Sequence, residues 1–287
     1  MLRFVVEILG GFGNQMFQYA FALSLREKRP DAEVFICTAE FKQYKLHNGF
    51  ELEKVFGPLV IKEADKKARK GMCRPLSKGR YRHRLKIWEN TEFSFWPDAY
   101  NQKDDRYFGG YWQSLGYVLP NRQLLLDTFV FKDVSEKNLD VASHMAGEES
   151  TGVHVRRGDY LNEPGFYGIC GIDYYRKAIG KIGCAGKHFY IFSDDIDWCR
   201  RELSPLLEDT EVDFVTWNTG TDSWQDMFLM SRCRHLIIAN SSFSWWGAFL
   251  NRNEGTIIAP AVWVRGVDSS RICPPEWIKI EEDGKNV

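Results

Sequence analysis

His154-Val155-Arg156-Arg157-Gly158-Asp159-Tyr160 closes a short apolar run, Thr151 to Val155, that reads as a buried strand. Two adjacent arginines and a carboxylate therefore stand where a strand ends. Ligands of open α/β sheets bind at the carboxyl ends of strands, which makes this a position for an anion. A guanidinium is planar, grips two phosphate oxygens together and stays charged at any working pH. The stretch reads as a paired-arginine clamp on a pyrophosphate. Two plainer readings stand beside it: a surface salt bridge among Arg156, Arg157 and Asp159, or an adhesive Arg-Gly-Asp tripeptide on a loop.

Outward from this stretch the second half alternates. A helix is predicted from about Ile172 to Ile182, a strand over His188–Phe192 and a helix from Trp198 to Leu207. A strand over Val212–Trp217, a helix from Asp222 to Cys233 and a strand over His235–Asn240 follow. A helix over Ser241–Leu250 and a strand over Gly255–Pro260 close the series. That alternation predicts a parallel sheet with helices on both faces. Three polar groups then fall at strand ends: Arg156 with Arg157, Asp194 with Asp195, and Asn240 to Ser244. In a parallel sheet these ends share one edge, so the groups can converge on one ligand. Ser241 and Ser242 at a helix start suit a phosphate, or simply cap the helix. Asp194 or Asp195 suits a ribose or a base edge, or again a helix cap. Trp245 and Trp246 read as core first and sugar platform second.

The first half opens with an apolar strand through Leu9, a turn Gly10-Gly11-Phe12-Gly13-Asn14-Gln15, and a buried helix over Met16–Leu25. Glycines let backbone approach a ligand, and a helix N-terminus offers unpaired N–H groups to an anion or a sugar hydroxyl. The alternative is a tight turn with Asn14 as the cap. The dinucleotide fingerprint is absent, since Asn-Gln stands where its third glycine would be. Ala32–Ile36 makes a second strand. Between Lys62 and Lys86 the composition turns basic, which suits an anionic membrane surface or an acidic glycan, or a solvated face. Phe108 to Ser114 suits a strand end facing a cleft, with core packing as the alternative. The polar segment from Lys132 to Ser150 marks the domain boundary.

At 287 residues, 44% hydrophobic and 27% charged, the chain suits one large or two ordinary soluble domains. A net charge of −1 offers no global field for nucleic acid. Seven dispersed cysteines without a C-x-x-C pair point to reduced thiols in a cytoplasmic setting rather than a disulfide framework or structural zinc. The N-terminal apolar run is too short for a signal peptide, and no run approaches the ~20 apolar residues of a bilayer span.

Taken in order, Gly10–Ala20 (GGFGNQMFQYA), Gly110–Ser114 (GYWQS), His154–Tyr160 (HVRRGDY), Phe192–Asp195 (FSDD) and Ala239–Ala248 (ANSSFSWWGA) resemble the motifs of the bacterial α-1,2-fucosyltransferases, glycosyltransferase family 11. The chain departs from the family pattern in its basic stretch and at Trp112, where Phe is more usual, and both bear on acceptor choice. The resemblance implies an α/β fold of GT-B type, two Rossmann-like domains facing across a cleft. Residues 1–148 would form the acceptor side and residues 149–287 the GDP-fucose-binding domain. It implies inverting transfer of L-fucose from GDP-β-L-fucose to the 2-hydroxyl of a terminal β-galactoside, on an oligosaccharide or lipid-linked glycan. No metal or other cofactor is implied; Asp194-Asp195 lacks D-x-D spacing. Arg156 would meet the pyrophosphate, with Ser241, Ser242 and the Phe243 backbone assisting. Arg157 would touch phosphate or hold Asp159, His154 would orient the clamp or meet guanine, and Asp194 would read ribose or guanine. Asn14 resembles a residue that reaches donor and acceptor, with Gly13, Gln15, Tyr111 and Gln113 as acceptor-side candidates. Asp159 is the candidate base and Glu163 the alternative. Other readings are a fucosyltransferase of another linkage and a non-catalytic glycan-binding protein. The expected location is cytoplasmic, with the basic stretch 62–86 offering peripheral contact to the inner membrane.

Overall fold

The computed structural model describes residues 1–42, 47–70, 72–75, 81–83, 86–89, 93–162, 168–184 and 187–282. The chain divides into two compact units, Met1–Lys132 and Asp133–Val287. The division falls at the start of the polar segment Lys132–Ser150 and before the helix Glu136–Gly147, whereas the expected partition at 148/149 put that helix in the first unit. That helix belongs to the second unit because its start is tied there. Ser135 N donates to Gln225 Oε1 at 2.9 Å, and Asn138 Nδ2 donates to Asn218 Oδ1 and Gln225 Oε1, both at 2.8 Å.

The first unit is built on a parallel sheet of β1 (Leu2–Glu7), β2 (Ala32–Cys37), β3 (Lys86–Trp88) and β4 (Arg106–Gly109), in the order β2-β1-β4-β3. Helix α1 (Phe12–Lys28) packs on β1 and β2. Its run of large apolar residues meets Phe108 from the strands: Phe21 lies edge-on to Phe108 at 5.4 Å and stacks flat on Trp112 at 3.8 Å, and Phe108 is edge-on to Phe4 at 5.5 Å. Val5 and Tyr107 point the other way, as period-2 alternation requires, and pack with Cys37, Ala64, Ala68 and Met72. The helix begins at Phe12, four residues earlier than its apolar run predicted. Its cap is Gly11 rather than Asn14, so Asn14 sits inside the first turn. β3 lies at the end of the basic stretch and was not legible in it. Lys62, Lys66, Lys67 and Lys70 are exposed around the buried Ala64 and Ala68, the arrangement of a solvated turn.

The second unit holds a six-stranded sheet: β5 (Glu149–Val155), β6 (Lys187–Ser193), β7 (Glu211–Val215), β8 (His235–Ile237), β9 (Ile257–Pro260) and β10 (Ile278–Ile280). Every pairing is parallel and the order is β7-β6-β5-β8-β9-β10. Central strands buried on both faces read as continuous apolar runs, which is why β5, β6 and β8 were visible in the sequence. Three residues containing a lysine gave no such signal for β10. Helices α2 (Glu136–Gly147), α3 (Ile172–Ile182), α4 (Ile196–Glu202), α5 (Trp224–Met230) and α6 (Ser242–Phe249) cover the sheet. Tyr174, Tyr175, Ala178 and Ile179 of α3 join Trp198 and Cys199 of α4 over Val153, Val155, Phe189 and Ile191. The chain builds outward from β5 through β6 to β7, then returns to place β8 on the other side of β5. That reversal opens a crevice beyond the carboxyl ends of β5 and β8.

Among the described residues no helix is long and apolar enough to cross a membrane, and there is no disulfide.

Candidate active site

The strand order brings the three polar groups to adjacent positions on one edge of the second unit. Arg156 and Arg157 follow the central strand β5, Asp194 and Asp195 follow β6, and Ser241 and Ser242 follow β8. Each arginine has its own aspartate: Arg156 Nη1 lies 3.0 Å from Asp194 Oδ2, and Arg157 Nε lies 3.1 Å from Asp195 Oδ2. Each also lies over an aromatic ring, Arg156 at 5.6 Å from the centre of Tyr160 and Arg157 at 4.4 Å from that of Trp198. They differ in their partners: Asp195 caps α4 by accepting from Trp198 N at 3.1 Å. Arg157 therefore fastens the loop after β5 to the start of α4. Asp195 and Asp197 do have D-x-D spacing, but the first is this cap and the second an exposed residue of the helix.

Asp194 accepts from Arg157 N at 2.9 Å while it pairs with Arg156. A β-carbon on Gly158 would stand 2.8 Å from its Oδ2, so the glycine is what lets the carboxylate reach the loop. This placement makes Asp194 an anchor of Arg156.

His154 is buried at the end of β5, with its ring 6.0 Å from that of Phe243. Its backbone carbonyl accepts from Tyr175 Oη at 3.1 Å, whereas its Nδ1 has no hydrogen-bond partner among the described residues. Burial pushes the imidazole pKa down to about 3; nearby Asp194 acts against the shift and Arg156 adds to it. His154 is thus a neutral ring with a buried, unsatisfied nitrogen, a costly state unless a ligand completes it.

Ser241 caps α6, its Oγ accepting from Phe243 N at 3.3 Å, and Ser242 is the first, half-buried residue of that helix. Asn240 is a buried hub: its Nδ2 donates to the carbonyls of Gly168 and Trp263, both at 2.8 Å, and its own carbonyl accepts from Tyr160 Oη. Trp245 and Trp246 are fully buried, with Trp245 Nε1 donating to Ile272 O, so they are core. The side chain of Asp159 and all of Glu163 lie outside the described residues.

In the first unit the candidates divide. Gln15 is fully buried: its Nε2 donates to the carbonyls of Gly10 and Gly49, and its Oε1 accepts from Glu51 N. Gln18 likewise bridges the segments that follow β1 and β4: its Oε1 accepts from Leu9 N and its Nε2 donates to Gly110 O. Gln15 and the buried Gly13 therefore build the turn instead of meeting an acceptor. Asn14 is half-buried, and its Oδ1 accepts from Gln113 Nε2 at 2.7 Å, which orients its amide nitrogen toward Gly10. Gly10 has φ of +81°, and a β-carbon there would stand 3.4 Å from Tyr111 Cε1. Tyr111 is 43% exposed over that turn. Trp112 is buried against Phe21 and so bears on packing rather than on acceptor choice.

Sequence reasoning missed the end of β3. Glu7, 2% exposed, takes Lys86 Nζ at 2.7 Å and the Tyr107 hydroxyl at 3.3 Å, and Trp88 stands exposed beside them. A glutamate closing the otherwise apolar Phe4-Val5-Val6-Glu7 was the available signal for a buried partner.

The family model described as glycosyl transferase family 11 matches residues 1–281. An α-1,2-colitosyltransferase of Escherichia coli is 30% identical, over 97% of this chain and 99% of its own length. The galactoside α-(1,2)-fucosyltransferase 1 of Aotus azarae is 25% identical, over 96% of this chain and 74% of its own. Among solved structures, the fucosyltransferase NodZ from Bradyrhizobium superposes with a TM-score of 0.52 at 16% identity, covering 87% of this chain and 94% of that one. That likeness is one of fold, and with two parallel α/β units it is the GT-B fold. The chain belongs to glycosyl transferase family 11.

Proposed function

We propose that the protein transfers L-fucose from GDP-β-L-fucose to the 2-hydroxyl of a terminal β-galactoside, with inversion and without a divalent metal. The observation that carries this is the arginine at the reversal point of the sheet, Arg156, held by Asp194 beside the unsatisfied His154 nitrogen and the α6 N-terminus. It is supported by relatives whose names share the α-1,2 linkage, and by a NodZ α-1,6-fucosyltransferase crystal soaked with GDP-fucose.

In the reaction the acceptor 2-oxygen forms a bond to C1 of the sugar as the bond from C1 to the β-phosphate oxygen breaks. GDP leaves with the bonding pair, and the hydroxyl proton passes to a base. Charge that builds on the β-phosphate meets the Arg156 guanidinium, fixed before the reaction starts. A preorganised donor of this kind lowers a barrier by about 3–4 kcal/mol. His154, neutral at working pH, can donate or accept a hydrogen bond but carries no charge to the site. Asp159, with Glu163 as alternative, is assigned as base, and Asn14 as a group that meets the reacting sugars.

A second reading has a specific observation behind it: a 30% identical relative bears the name of a colitosyltransferase. Colitose is fucose without its 3-hydroxyl, so the same clamp would serve both donors. The test is purified protein in EDTA with GDP-fucose or GDP-colitose and a panel of β-galactosides, with linkage analysis of the product. An α-1,2-fucosylated product is expected. A product of another linkage, or loss of turnover in EDTA, would overturn the corresponding part. Arg156→Ala should lower kcat about 100- to 1000-fold with the fold intact; unchanged turnover would remove the clamp. Flotation with anionic vesicles tests membrane contact through residues 62–86.

A further inference from the structure

We propose that Trp88 is a platform for the second sugar of the acceptor, so that the enzyme takes a galactose-terminated oligosaccharide of at least two residues; this rests on the acceptor reading given above. Of the ten tryptophans in the chain, Trp88 alone is strongly exposed, at 53%. It is nevertheless not loose. It pairs in register with Gly109, where a β-carbon would stand 2.8 Å from Trp88 Cε3, so the indole rests on bare backbone. Lys86 Nζ lies 4.6 Å from its ring centre, and that ammonium is itself fixed by both oxygens of the buried Glu7, at 2.9 and 2.7 Å.

An exposed ring held in one orientation loses little freedom when a ligand stacks on it, which is what makes a stacking contact favourable. A cation behind the ring adds a polarising contact of its own. The surroundings are polar: Glu7 and Lys86 lie beside the ring, and the following residue, Glu89, takes the Trp112 N–H with its carboxylate. Among the described residues this is a single aromatic face beside fixed charged groups, which matches a pyranose, with C–H groups on its face and hydroxyls around its rim. It does not match a protein partner, which needs contiguous apolar area.

The position sets the subsite. Tyr111 lies over the Gly10 turn that follows β1, beside Asn14, the position that the acceptor reading gives to the terminal galactose. Trp88 ends β3, two strands away across β4, in register with Gly109 and so on the face of the sheet that carries Glu7 and Tyr107. At a strand spacing of ~4.8 Å the axes of β1 and β3 are roughly 10 Å apart, so a sugar on Trp88 is a second one, linked to a galactose at the Gly10 turn around the strand ends. Both rings stand at the carboxyl edge of the same sheet, the edge at which open α/β units bind ligands.

The test compares methyl β-galactoside with galactose β-linked to glucose, N-acetylglucosamine or N-acetylgalactosamine, using GDP-loaded full-length protein and saturation-transfer NMR. In the wild type, protons of the second sugar should receive saturation as well as those of galactose. Trp88→Ala should weaken the best disaccharide about tenfold, the upper range for one ring contact, and change methyl β-galactoside less than twofold; Trp88→Phe should recover most of the loss. Equal effects on both ligands, no effect on either, or wild-type saturation confined to galactose would overturn the proposal. So would failure of every disaccharide to bind. GDP binding and the melting temperature of Trp88→Ala check that the variant is folded, and the wild-type contacts decide the matter without it. Transfer from GDP-fucose is assayed separately, so loss of turnover with second-sugar contacts retained would count against the donor reading and not against Trp88.

Discussion

Asp194 and Asp226 show how differently two carboxylates behave within one unit. Asp194 meets a guanidinium and a backbone N–H at a strand end. Asp226, in the first turn of α5, accepts from Asn218 Nδ2 at 2.8 Å, and among the described residues no arginine pairs with it. Burial raises the Asp226 carboxyl to about 7, with the Asn218 hydrogen bond pulling the other way. The unfolded chain releases this proton near the ordinary aspartate value of about 3.9. Between about 4 and 7 the folded protein therefore holds more protons, and stability falls as pH rises through that window. Asp226→Asn should raise the melting temperature at pH 8 and leave it nearly unchanged at pH 4; equal shifts at both values would show that the carboxyl is not buried in this way. His154 slopes oppositely: depressed to about 3 from about 6.5, it costs stability as pH falls between those values, because only the unfolded chain takes up the proton.

The loop after β5 depends on an absent side chain. Gly158 lies outside the left-handed region, so alanine is allowed by its backbone and only the contact with Asp194 is at stake. Gly158→Ala should leave the melting temperature within about 2–4 °C of wild type, a change of roughly 1 kcal/mol or less for a chain of this size. It should weaken GDP binding severalfold through Asp194 and Arg156, as read by calorimetry; unchanged affinity would separate the glycine from the clamp. Elements with strong local patterns were legible in the sequence. α3 begins and ends where Ile172 and Ile182 place it, because its apolar stripe and the following Gly183 agree. β3 and β10 were not, since three-residue edge strands with lysines owe their existence to a neighbour rather than to their own residues. At the site, the strand-end arginines, aspartates and serines were visible as types. The division of labour was not: that Asp195 caps α4, that Asn240 ties two loops and that Gln15 braces a turn are facts of tertiary hydrogen bonding with no local signature.

Across the whole molecule, the groups that make the clamp lie far apart in the chain and adjacent in the sheet. GDP should therefore slow hydrogen exchange together in residues 151–160, 193–198 and 239–246, while β1 to β4 stay unchanged. Protection confined to the first unit would place the nucleotide elsewhere.

The position of β8 beside β5 also bears on how the protein is made. β5 pairs with β6 soon after both emerge, but its other edge waits for His235–Ile237, which leave the ribosome some eighty residues later by the paired numbers Thr151 and His235. During that interval the nascent chain carries an apolar central strand with one side unpaired, the kind of edge on which chains aggregate. Closure by so distant a partner is slow. The proposed donor site thus comes into being late in synthesis, and the yield of active enzyme should depend on chaperones and on temperature more than the stability of the finished fold would suggest.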